Sequence, residues 1–127
     1  MLRLVLVFVA GGCGCLLRYG VSGWIQRLGG SAFPLGTLAV NVIGCAVIGF
    51  VATAFTGPVL VRDEVRLLLV VGLLGGFTTF SSFAHETVSL AREGSLLWAG
   101  ANLLLGNSLG VLAAWLGMRA SVALYGA

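Results

Sequence analysis

Lysine is absent from this 127-residue chain, histidine occurs once, and charged residues of every kind make up only 9%. Soluble domains carry about a quarter charged residues, so this surface is not built for water. Every one of the seven cationic side chains is an arginine, placed singly against four acids for a net charge of +3. No basic run is available to neutralise a phosphate backbone, and a nucleic-acid partner is not expected. Cysteine is scarce: Cys13, Cys15 and Cys45 lie in apolar runs, with no Cys-x-x-Cys pair and no Cys/His cluster. That spacing argues against a metal cluster or a disulfide framework and for small buried hydrophobes. Proline is limited to Pro34 and Pro58, both between apolar runs.

Apolar sequence fills the rest. Hydrophobic residues make up 59% of the chain and the mean hydropathy is +1.10. The composition is that of an all-α integral membrane protein. A helical span needs about 20 mostly apolar residues, and four such runs occur: Leu2–Trp24, Leu35–Phe55, Val65–Leu90 and Ser95–Met118. The first could be mistaken for a secretory leader. With one arginine before it and three spans after it, it reads as a retained helix. The breaks carry turn and charge signals: Gly29-Gly30-Ser31 with Pro34, Gly57-Pro58 through Arg62-Asp63-Glu64, and Arg92-Glu93-Gly94. Loops this short set neighbouring helices antiparallel, within one domain over residues 1–127 and with no mass for an extramembrane enzyme.

Orientation in the bilayer follows arginine counts in short loops. Arg3, Arg62, Arg66 and Arg119 fall on one side, Arg18, Arg27 and Arg92 on the other, a difference of one. So small a bias predicts insertion in both directions, with the chain pairing antiparallel to a second copy. Glycines recur along all four spans, Gly11, Gly12 and Gly14 in the first and Gly100, Gly106 and Gly110 in the fourth among them. Small residues of this kind permit close helix approach in membranes. Four helices from one chain enclose little, which again points to an oligomer.

The third span carries an anomaly, Gly75-Gly-Phe-Thr-Thr-Phe-Ser-Ser-Phe83. Glycines and clustered hydroxyls at membrane depth predict a broken helix, tolerated only where protein or a wet path surrounds it. Phe80 and Phe83, three apart, share a helix face. Packing is the ordinary use of such a pair. The neighbouring hydroxyls of Thr79, Ser81 and Ser82 suggest instead that the positive ring edges meet a passing anion. Carbonyls freed between Gly75 and Thr79 suit a hard cation such as Na+, or simply mark a kink braced by a neighbouring helix.

Other polar residues admit two uses each. Arg18 follows Arg3 after 14 uncharged residues, too few to span, so it lies within or at the rim of the first span. There it either snorkels to the headgroups or draws an anion into a vestibule. Asn41 either bonds between helices or donates to an anion. Glu86, near the end of the third span with His85, is read as an interfacial acid rather than a proton carrier. Asn102, Asn107 and Ser108 in the fourth span either line a path or bond across helices.

Three motifs together resemble one family. Gly14-Cys-Leu-Leu-Arg18-Tyr, Pro34-Leu-Gly-Thr-Leu-Ala-Val-Asn41-Val-Ile-Gly44 and Gly72-Leu-Leu-Gly75-Gly-Phe-Thr-Thr-Phe80-Ser-Ser-Phe83 look like the Fluc (CrcB-type) fluoride channels, in order and over the whole chain. Cys15 stands where a small residue such as Ala is common, and Ser82 where Thr is common. The resemblance implies an antiparallel, dual-topology homodimer with two fluoride pores, passive efflux of fluoride across the inner (plasma) membrane, and fluoride resistance. It implies Phe80 and Phe83 as pore phenylalanines, Asn41 as the pore amide, and Ser81 and Ser82 as a polar track. Arg18 would sit at the vestibule, and the Gly75 and Thr78 carbonyls would hold a structural Na+ at the dimer centre. No acid is expected along the path, since a carboxylate repels an anion. Two rivals remain. A proton-coupled small exporter needs a buried carboxylate, usually in the first span, and this first span has none. A non-transporting packing subunit would leave the Thr/Ser/Phe interruption without a purpose.

Overall fold

The computed structural model describes residues 1–30, 32–57 and 59–126; Ser31 and Pro58, two of the turn signals, lie outside the described residues. In chain order come α1 (Leu2–Gly29), α2 (Leu35–Thr56), α3 (Asp63–Arg66), a π-helical stretch (Leu67–Leu74), α4 (Gly75–Phe77), α5 (Phe80–Arg92) and α6 (Leu96–Tyr125). The segments from Asp63 to Arg92 form one crossing, and with α1, α2 and α6 they make four helices long and apolar enough to cross a membrane. No strand occurs among the described residues.

Two helices outrun the apolar runs that announce them. α1 continues past Trp24 to Gly29, and α6 past Met118 to Tyr125. Hydropathy marks the thickness of the bilayer, whereas a helix stops only where its backbone is made to stop. For α6 that point is Gly126, whose φ of 70° is left-handed and whose N–H closes on Val122 O at 2.8 Å. At about 1.5 Å per residue, its 30 residues reach some 45 Å, well beyond a hydrocarbon core.

Side chains fix the corner between α1 and α2. Gln26 Nε2 donates to Phe33 O at 2.9 Å and to Gly30 O at 2.5 Å, while its Oε1 accepts the Gly36 N–H at 3.0 Å. One amide thus satisfies three backbone groups that a tight turn would leave open. α2 then runs back against α6, and the two approach backbone to backbone. A Cβ on Gly49 would collide with the Ala114 carbonyl, and one on Gly117 with the Ala46 carbonyl. α1 lies across the π-helical stretch and α4, where a Cβ on Gly72 would stand 2.6 Å from that of Ala10.

The chain by itself covers little of its apolar surface. Between 11% and 22% of the most apolar stretch of each span is buried inside it. Phe8, Leu16, Trp24, Leu104, Val111 and Trp115 all point outward. Exposure on this scale is stable only against lipid or another membrane-embedded surface.

Candidate functional site

Helical geometry stops at Phe77 and resumes at Phe80. Thr78 (φ −92°, ψ 159°) and Thr79 (φ −152°, ψ 110°) are extended. The cause lies 38 residues upstream: Asn41 Oδ1 accepts the Thr79 N–H at 2.8 Å, and Asn41 Nδ2 donates to Thr79 O at 3.0 Å. A side-chain amide here mimics a neighbouring strand. It takes the N–H that an unbroken helix would give to the Gly75 carbonyl, four residues back. Thr79 Oγ1 in turn accepts the Ser82 N–H at 3.2 Å, which caps α5 and removes the helical donor of the Thr78 carbonyl. Two carbonyls, those of Gly75 and Thr78, therefore lose their helical partners through identifiable competitors.

The Thr78 carbonyl finds another donor in Arg18 Nη1, at 3.3 Å. Arg18 is half-buried in mid-α1, and its guanidinium faces the interruption rather than the headgroups. A glycine makes room on the opposite side of Thr78, since a Cβ at Gly44 would meet the Thr78 methyl.

The extended pair divides the candidate residues between two spaces. On one side an open groove of about 420 Å³ between α2, the third crossing and α6 is lined by Asn41, Gly75, Thr78, Phe80 and Phe83. Phe80 is 76% exposed and Phe83 only 7%, with ring centroids 5.5 Å apart and planes at 47°. The other side holds a polar cavity of about 350 Å³, lined by Arg18, Thr37, Thr79, Ser82 and Glu86 among others. Ser81 and Ser82 meet the Thr79 hydroxyl at 3.3 and 3.0 Å, and both open onto a neighbouring space shared with His85 and Glu86. The hydroxyl cluster and the ring pair are thus adjacent in sequence but face apart.

Glu86 lines the same cavity as Arg18 and Ser82. Its Oε1 accepts the Thr37 hydroxyl at 2.6 Å, and its buried Oε2 has no partner among the described residues. Two turns of α5 carry Glu86 back from the span end to the level of Thr37 at the start of α2. The pairing joins residues 49 apart, so no local pattern announces it. The Thr79 cap did have a signal, a hydroxyl residue immediately before a helix.

Fold and site together define a multi-pass membrane protein with a polar interruption in its third crossing. The family described as "CrcB-like protein, Camphor Resistance (CrcB)" matches residues 5–118. A protein of Syntrophotalea carbinolica named "Fluoride-specific ion channel FluC" is 44% identical over 92% of this chain and 95% of its own. Proteins of the same name from Rhizobium etli (45% identical, 93% of this chain and 94% of its own) and Rhizobium leguminosarum bv. trifolii (44%, 98% and 99%) are similar to the same degree. This chain belongs to the CrcB-like family.

Proposed function

We propose that the protein is a fluoride-specific ion channel that lets fluoride leave the cytoplasm passively across the inner (plasma) membrane and so confers fluoride resistance. The observation that carries this reading is the Thr78–Thr79 interruption, with hydroxyls on one side and two phenylalanines on the other, in a chain whose relatives bear the fluoride-channel name. Fluoride is small and strongly hydrated. Donors from Ser81, Ser82 and the remaining Asn41 N–H replace part of its water, and the edges of Phe80 and Phe83 offer weak contact that does not trap it. Arg18 raises the local anion concentration at the polar cavity.

The working unit in this reading is an antiparallel, dual-topology homodimer with two pores. Its support is the near-balanced arginine count and the open groove bearing an exposed Phe80. Na+ at the dimer centre fits the donor set, because neutral carbonyls suit a hard cation and the Gly75 carbonyl has lost its helical donor to Asn41. Gly75 and Thr78 from each chain would hold the ion. Thr78 O keeps a second lone pair beside its bond to Arg18, although the guanidinium charge works against a cation there and leaves Gly75 the stronger ligand. A bound Na+ would give the Gly75 carbonyl a partner in place of the helical donor it has lost.

Phe80→Ile and Phe83→Ile test the pore. Each variant is expected to slow fluoride release from liposomes by more than about tenfold, equivalent to ~1.4 kcal/mol on the barrier, while the purified dimer elutes unchanged. Normal flux from both variants would remove the rings from the path, and loss of the dimer with normal flux per channel would assign them to packing.

A further inference from the structure

Phe83 is gripped from two directions by one stripe of α6. Its ring lies on Gly106, where a Cβ would stand 2.6 Å from Cε2 and 3.2 Å from Cδ2. One turn earlier on that stripe is Asn102, 1% exposed. Its Nδ2 donates to Thr87 Oγ1 at 2.8 Å, and Thr87 Oγ1 donates to the Phe83 carbonyl at 2.8 Å. Thr87 is itself buried, at 8% exposure. The relay runs amide to hydroxyl to carbonyl and fixes the rotation of α5 at the residue carrying the ring. A hydroxyl that bonds back four residues ordinarily only bends a helix slightly. Here its lone pair is also taken by a buried amide from the facing helix, so α5 cannot turn without stranding polar groups out of reach of water.

We propose that Asn102 and Thr87 are positioning residues for conduction: acting through the Phe83 carbonyl, they set the angle at which the Phe83 ring meets Phe80 while Gly106 sets its depth. The inference rests on the reading that both rings line the fluoride path. Neither residue touches the ion. Their effect reaches it through the orientation of one ring.

The test separates rate from folding. Liposomes are loaded with fluoride at a protein density giving about one channel or fewer per vesicle, and two quantities are read: the fraction of vesicles that empty and the rate at which those vesicles empty. Thr87→Val and Asn102→Leu are each expected to lower the rate per active vesicle about tenfold. The double variant should be no slower than the slower single, because the pair acts as one unit. Thr87→Ser, which keeps the hydroxyl, should come within about twofold of the parent rate. Gly106→Ala, which moves the ring without disturbing the relay, should also slow the rate, and it keeps the idea testable if Thr87→Val does not fold. A change in the active fraction alone, with parent rates per active vesicle throughout, would overturn the proposal. Phe83→Ile is the control. If it conducts at the parent rate, the pore reading itself has failed. If it slows conduction while the relay and Gly106 variants do not, only the positioning role is lost.

Discussion

Replacing Asn41 with leucine is expected to lower fluoride flux by at least about 100-fold, the largest loss from any single side chain considered. Both polar atoms of the amide are engaged with Thr79, at 2.8 and 3.0 Å. Leucine keeps the bulk and offers neither a donor nor an acceptor. Leaving a buried backbone N–H and carbonyl unmet costs ~1–3 kcal/mol each, and the chain has an easy escape. The Thr79 N–H can return to the Gly75 carbonyl and close the helix across the interruption. Closure would reseat Phe80, withdraw the Thr79 hydroxyl from Ser81 and Ser82, and remove the freed carbonyl from the groove. A barrier higher by ~3 kcal/mol corresponds to about 100-fold in rate. The same liposome assay reads it, with amide exchange at Thr79 as a structural check. An Asn41→Leu protein that conducts at the parent rate would mean that another contact holds the interruption open.

Gly49→Val carries the second large effect, on folding rather than on flux. The Cβ of any residue at 49 would fall into the backbone of Ala114, and backbone cannot move aside as a flexible side chain can. α2 and α6 would have to separate along their whole contact, because Gly117 makes the reciprocal approach to Ala46. Overpacking of a tight interface costs up to ~3 kcal/mol, occasionally more, enough to lower the melting temperature in detergent by many degrees or to abolish folded protein. Gly12→Val is the matched control: it lies on α1 with no atom within 4 Å of its would-be Cβ. It should melt near the parent temperature. Equal melting of the two variants would contradict the close packing of α2 on α6.

Much of the fold was legible because one force dominates it. A run of apolar residues long enough to span has few alternatives to a membrane helix, so Leu35–Phe55 matches α2 (Leu35–Thr56) to one residue. The extra turns of α1 and α6 were not legible from hydropathy, since leaving the bilayer does not stop a helix: residues 25–28 and 119–125 contain nothing that breaks one, and each helix runs on to a glycine pair or a left-handed glycine. The π-helical stretch Leu67–Leu74 was also unreadable. Its eight residues are leucine, valine and one glycine, and they carry no local signal for the wider winding.

At the site, the Gly75–Phe83 run drew attention through its chemistry, and helical geometry lapses within it at Thr78 and Thr79 alone; its glycines and serines stay helical on either side. What holds that lapse is a set of contacts between residues far apart in the chain: Asn41 on Thr79, Arg18 on Thr78, Thr37 on Glu86 and Asn102 on Thr87. Sequence reasoning left Asn41 and Asn102 each with an interhelical use and a path-lining use. Both bond between helices here and Asn107 turns back onto its own helix at Leu103 O, while Asn41 and Asn107 also line the groove. A single sequence records which polar groups sit at membrane depth, but their partners depend on how the helices are brought together.

Anion release from liposomes containing the purified protein, followed with fluoride and chloride electrodes, tests the fluoride-channel reading most directly. The expected result is rapid fluoride release with no chloride release, independent of any imposed proton gradient. Fluoride retained by vesicles that hold well-folded protein, or release only against a proton gradient, would contradict it.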